Sequence, residues 1–412
     1  MEADSAPDPR ASLSRFVCAF ATLVCLLFLL VGLRFDPETA LNAFTSSQPG
    51  ASPQRQIEDE AHTVATSDRL AGVPGHQIVT SLLANIPRID RALQLSTPNY
   101  REDTAIREAL LADPHQWRVH TKSGRLAYQA SNALTVYVVN PSDTQAQPLA
   151  QREQTLLTAR SLLGLWVSRR FDPQFSLEGH VVIRADEILA WRGVQKHQRI
   201  AYPGSQKRFT DGYQWKHKQQ VHQDLMALSR YRLSGQQYIV CQGRVETFLV
   251  DAPYLSITPV ENNANIAGYL VAPGPWISAY EAHHMLFLAR VPRQILQLNP
   301  RNDYLALRMA FYLVEHWRQE ARSGAYQEPL LMARLLAASM ISVDKANLTS
   351  RFAPRVEGAL QKLYTQHILG EPPVNLSGID RTKAHWGQDW LASSWRLVPP
   401  QDIICFYTRG KK

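Results

Sequence analysis

Seven Lys or Arg stand between positions 192 and 218, namely Arg192, Lys196, Arg199, Lys207, Arg208, Lys216 and Lys218, with Asp211 the single acid among them. His197 and His217 add donors, and Tyr202, Phe209, Tyr213 and Trp215 interleave aromatic rings. Cations of this density neutralise closely spaced phosphates and release counterions, which gives affinity without sequence information. Tyr213, Gln214, Lys216, His217, Gln220 and Gln223 fall where the next helix opens. Such residues, at the start of a helix laid in a major groove, read base edges. Two blander readings fit the same run: a solvated loop beside a surface helix and attraction to anionic lipid headgroups. A sparser basic set, Arg351, Arg355, Lys362, Arg381 and Lys383, recurs further along.

The elements that must position these residues follow from periodicity. Residues 151–170 predict a helix, with Leu156, Ala159, Leu163, Trp166 and Val167 on one face. A strand over 181–184, a short helix over 185–193 closed by Gly193, the basic loop and a helix over 212–229 come next. The runs YRLSG and QQYIVCQGRVETFLVDAP then read as a hairpin. Helix, strand, helix, loop, helix and hairpin is the order of a winged helix. The order recurs: a helix over 303–324, a brief strand at Pro329-Leu-Leu-Met, helices over 333–340 and 352–369, and a strand near 395–400. Upstream, DTAIREALL predicts a helix and residues 125–140 a strand ahead of a Pro141-Ser-Asp turn.

Composition suits a chain of two or three domains: 412 residues, 45% hydrophobic, with a formal charge of +8 that favours acidic partners. Of four cysteines, Cys18 and Cys25 lie in an apolar run, and Cys241 and Cys405 form no metal-ligand or disulfide pattern. Residues 16–33 carry no charge, and at about 1.5 Å per residue they give about 27 Å of helix. A cleaved signal would want small residues at its end, and a buried helix would want a polar face, so the run predicts one membrane span bracketed by Arg15 and Arg34. The positive-inside rule leans, by one charge, towards an outside C-terminus. Nucleic acid as partner requires the soluble part in the cytoplasm, and that is the expected location. Residues 36–75 read as linker.

The runs VVIRADEILAWRGVQKHQR and GYQWKHKQQVHQDLMALS are similar to the first winged helix of plasmid-type replication initiators and related bacterial helix-turn-helix proteins. GYLVAPGPWI, followed by LARVPRQILQLNPRNDYLALRMAFYLVEHWRQEA, resembles their join to a second winged helix, and the ending with Val398-Pro-Pro also fits. The resemblance covers residues 150–405. It implies binding of double-stranded DNA through two winged helices, with host replication proteins as further partners. A membrane span is foreign to that pattern, the basic loop is long for it, and MISVDKANLTS separates two later helices by more than the usual few residues.

No Walker A, GxGxxG, HExxH or GxSxG occurs, so no enzyme, cofactor or metal is expected. His115 and Arg118 match an HxxR spacing by chance, and adjacent His283 and His284 on a helix chelate poorly. Asp186 and Glu187 suit a helix N-terminus, and Trp276 a packed anchor. The expected architecture is α+β: a tail (1–15), one transmembrane helix (16–34), a linker (35–75), a small α+β segment (76–148), winged helices over 149–255 and 299–405, and a connector (256–298). The function expected of it is a membrane-tethered, initiator-like DNA-binding protein, with a homodimer as a candidate assembly. The alternative is a membrane-anchored protein-interaction module of winged-helix shape.

Overall fold

Strand β1 (Gln94–Pro98) and helix α1 (Arg101–Leu111) begin the part of the chain that the computed structural model describes, residues 94–120, 125–139, 152–201, 203–241, 244–262, 265–282 and 287–409. Ala105, Ile106, Ala109 and Leu110 recur at helical spacing on α1 and are buried. They lie against a five-stranded antiparallel sheet of β2 (Arg118–Val119), β3 (Leu126–Ser131), β4 (Leu134–Val138), β9 (Tyr231–Cys241) and β10 (Arg244–Pro253), in the order β10-β9-β4-β3-β2. The stretch expected as one strand over 125–140 is thus a hairpin. Asn132 and Ala133 form its two-residue turn, and Ser131 faces Leu134 across it. Gly235 passes so close to this turn that an added Cβ would sit 2.0 Å from the Ala133 carbonyl oxygen.

The central helix is α2 (Arg152–Arg169), buried on nearly every side. After it come β5 (Ser176–Leu177), β6 (His180–Ile183), α3 (Ala185–Trp191), a ribbon of β7 (His197–Ile200) and β8 (Arg208–Gly212), and α4 (Trp215–Ser229). Helix α3 starts as its acids require: the Arg184 N–H donates to Glu187 Oε2 at 2.9 Å, and Glu187 also pairs with Arg169. It stops at Gly193, whose φ of +65° is left-handed, with the Val194 N–H returning to the Leu189 carbonyl. Val221, Leu225 and Leu228 turn one face of α4 fully inward.

The hairpin that flanks these helices is not the expected one. Residues 231–253 belong to the five-stranded sheet. The flanking place is taken by β11 (Leu255–Asn262) and β12 (Asn265–Pro273), in a sheet of order β11-β12-β6-β5. Strand pairing is set by which surfaces meet, so the order of elements along the chain does not say which hairpin meets β6.

A short helix α5 (Ser278–Ala282), strand β13 (Leu288–Pro292) and helix α6 (Arg293–Gln297) lead on, and β13 pairs with β1. The second unit has α7 (Tyr304–Glu320), β14 (Leu330–Leu331), α8 (Met332–Ala338), a π-helical turn over Leu348–Phe352, α9 (Ala353–Thr365), β15 (Val374–Asn375), α10 (Trp386–Leu391) and β16 (Ser394–Arg396), and α11 (Gln401–Arg409) follows. Its sheet order is β14-β16-β15. In both units the strand between the first two helices pairs with the second strand of the later pair. The second helices also end alike, since Met340 (φ +57°) stands where Gly193 does and the Ile341 N–H returns to the Leu336 carbonyl. The two stretches thus share an order of elements and one strand pairing.

A buried ionic cluster joins the units. Glu315 on α7 accepts from Arg107 Nε at 3.1 Å, from Arg160 Nη2 at 2.6 Å and from the Thr104 hydroxyl at 3.1 Å. Arg107 Nη1 also donates to the Ala338 carbonyl at 2.9 Å. Asp103 accepts from the Tyr254 hydroxyl at 3.1 Å and lies 4.0 Å from Arg160.

The expectation of a membrane-anchored protein is corrected. Among the described residues no helix is long and apolar enough to cross a membrane. The longest, α2, spans 18 residues and carries Arg152, Glu153, Arg160 and Arg169. Buried guanidinium groups satisfied by protein partners mark a helix of a folded core rather than one facing lipid. The stretch on which the span was placed, 16–34, lies outside the described residues, as do Cys18, Cys25 and the 35–75 linker.

Candidate nucleic-acid interface

Helix α4 presents its outer face through Trp215, Lys216, Gln219 and Gln223, all exposed and set opposite Val221, Leu225 and Leu228. Trp215 is 73% exposed. It was absent from the expected site set, yet its position off the apolar stripe of α4 is legible on a helical wheel. Gln214 caps the helix and lies 3.4 Å from His197 Nδ1.

The long basic loop is the β7–β8 ribbon. All four residues of β7 are exposed, Arg199 among them, and Lys207 is exposed at the tip. Arg208 opens β8. Lys196 leads into the ribbon, 5.8 Å from the centre of the Tyr213 ring. Tyr213 itself packs against the core.

Other members of the expected set point elsewhere. Arg192 is turned inward: its side chain is 9% exposed and lies 4.0 Å from buried Asp224. Burial, the leading cause, lowers the Arg192 pKa and raises that of Asp224. Hydrogen bonds from Thr158, Gln220 and Thr155 and the charge of Arg192 work against the Asp224 shift. Gln220 therefore faces the interior, at 3.3 Å from Asp224 Oδ1. Lys218 is tied to Asp186 at 2.8 Å. His217 is half-buried, and desolvation followed by the nearby Lys216 and Arg192 charges pulls its pKa down. Spacing along the chain identifies a basic segment, whereas the helical phase decides which of its members reach the surface.

In the second unit the outer face of α9 carries Pro354, Arg355, Gly358 and Gln361. Three of the five expected cations here contact protein groups. Lys362 reaches Asp303 at 2.6 Å, Arg381 reaches both oxygens of Glu357 at 2.7 Å, and Arg355 donates to the Tyr304 hydroxyl at 3.3 Å. Arg351 and Lys383 are exposed. Elsewhere, Trp276 is buried, its indole N–H donating to the Tyr254 carbonyl at 2.8 Å. His115 and Arg118 border an open concavity on the five-stranded sheet, far along the chain from the basic ribbon. The pair His283 and His284 lies outside the described residues.

No family model matches the chain, and no curated protein does. Among solved structures, that of domains 2 and 3 of RctB is similar, at 14% identity and a TM-score of 0.35 over 67% of this chain and 89% of that one. What the described residues display is a mixed α and β fold in which one order of elements occurs twice.

Proposed function

We propose that this chain is a non-enzymatic protein that binds duplex DNA through its first three-helix unit, with the second unit as an auxiliary contact, in replication or its regulation. The observation that carries the reading is an exposed outer face of α4 (Trp215, Lys216, Gln219, Gln223) entered directly from a ribbon that carries the exposed cations Lys196, Arg199 and Lys207, the two meeting where Gln214 lies 3.4 Å from His197 Nδ1. The nearby acids Asp224 and Asp186 are matched by Arg192 and Lys218, so they do not oppose an incoming phosphate. A helix of about 10–12 Å diameter fits the roughly 12 Å major groove, where Gln side chains pair with adenine and Lys with guanine. Similarity of the Asp186-Glu-Ile-Leu and Arg192-Gly runs to plasmid replication initiators supports the replication setting.

Replacing Lys207 and Arg208 with Ala together tests the reading. Each phosphate contact contributes about 0.9 to the slope of log affinity against log salt, so the double variant should lower that slope by about 2. Fluorescence anisotropy on a duplex at several salt concentrations reads it. An unchanged slope and affinity would remove the ribbon from the interface and, with it, the main support for DNA binding.

A further inference from the structure

In the winged-helix plan the second and third helices are joined by a turn of a few residues. Here α3 and α4 are separated by a built ribbon. Strands β7 and β8 pair antiparallel, with Arg199 opposite Phe209 and Ile200 opposite Arg208. The Ala201 N–H donates to the Lys207 carbonyl at 2.9 Å and closes the tip. Pro203 and Gly204 (φ +83°) turn the chain, the pair that a type II turn requires. Strand β7 is exposed along its length, and Ile200 is 52% exposed beside the tip. A solvent-facing strand that ends in an exposed apolar residue, with exposed Arg199 on it and exposed Lys207 across the tip, has no role in the core.

Resting on the DNA-binding reading above, we infer that this ribbon enters the minor groove next to the major groove occupied by α4, with Ile200 as an apolar contact and Arg199 and Lys207 against the two phosphate walls. Reach supports it. Strand β8 has 5 residues and ends three positions before α4 begins. At about 3.4 Å per residue the strand itself is roughly 17 Å long. Neighbouring major and minor grooves are half a helical turn apart, also about 17 Å. Proteins that use the minor groove combine Arg or Lys with small apolar wedges, which is the composition of this tip.

The test uses the full chain. In one variant residues 198–211 are replaced by a four-residue Gly/Ser turn; in a second, which keeps the ribbon, Ile200→Asp is combined with Lys207→Glu. Hydroxyl-radical footprinting on a bound duplex reads minor-groove sugars, and anisotropy reads affinity. The intact chain should protect a minor-groove patch about half a turn from its major-groove contacts, and netropsin should compete with it. Both variants should lose that patch and bind on the order of tenfold more weakly, with major-groove methylation protection retained. Intact protein that binds duplex with no minor-groove patch, or variants that keep it, would overturn the ribbon's role alone. Failure of the intact chain to bind duplex would overturn the DNA-binding reading and this inference together.

Discussion

Glu315→Gln tests the junction between the two repeated units. The carboxylate is 5% exposed and accepts from Arg107, Arg160 and Thr104. Gln keeps the shape but removes the charge, leaving two buried guanidinium groups, with Asp103 4.0 Å from Arg160 and Glu108 3.8 Å from Arg107 as their remaining acids. Breaking a buried ion pair from one side costs about 3–5 kcal/mol, because the surviving charge stays desolvated. Two cations share this acid but each keeps a more distant one, so the lower end of that range is expected. Against a typical total of about 5–15 kcal/mol, the loss is large. Urea unfolding of the variant beside the parent protein measures it. Replacing Arg107, Arg160 and Glu315 with Met, Met and Leu, together with Asp103→Asn, should cost less than the single change, since Asp103, which sits 4.0 Å from Arg160, is then not left as a stranded charge. A loss below about 1 kcal/mol for Glu315→Gln would show that the cluster does not hold the units together.

Three further outcomes follow from local geometry. Gly193→Ala should cost about 1–2 kcal/mol in thermal or chemical unfolding, because φ is +65° and the new Cβ would meet the Gln297 side chain at 3.0 Å. Gly358→Ala should instead stabilise by about 0.5–1 kcal/mol, since Gly358 lies on the exposed face of α9 and an added Cβ meets nothing within 4 Å; an observed loss would mean that this face is covered. The third concerns pH. Burial, the largest influence, raises Asp103 from 3.8 to about 7, against the charge of Arg160 and the Tyr254 hydrogen bond. Between about pH 4 and 7 the folded chain then holds a proton that the unfolded chain has released, so stability from this group is complete below pH 4 and is lost as pH rises to about 7. Urea midpoints at pH 5 and pH 8 should differ in that sense, and Asp103→Asn should narrow the gap.

Periodicity and end signals were enough for most of the helices. Leu and Val spacing marks α4, α7 and α9, and Asp186, Glu187 and Gly193 mark both ends of α3, because these signals act within a turn or two of helix. The basic character of 192–218 is equally local. The two halves of the 125–140 hairpin were missed because a two-residue turn such as Asn132-Ala133 interrupts the strand pattern very little.

By itself, the sequence determined that a helix–strand–helix–helix order occurs twice and that cations gather ahead of α4. Only the tertiary structure decided that 255–273, rather than 231–253, pairs with β6, that the basic loop is a ribbon, and that Arg192 and Gln220 turn inward to Asp224 while Trp215 turns out. The reason is physical. Helix formation and charge are set by neighbours along the chain, but strand partners and side-chain burial are set by which surfaces meet, and residues as far apart as Arg107 and Glu315 meet only in the fold.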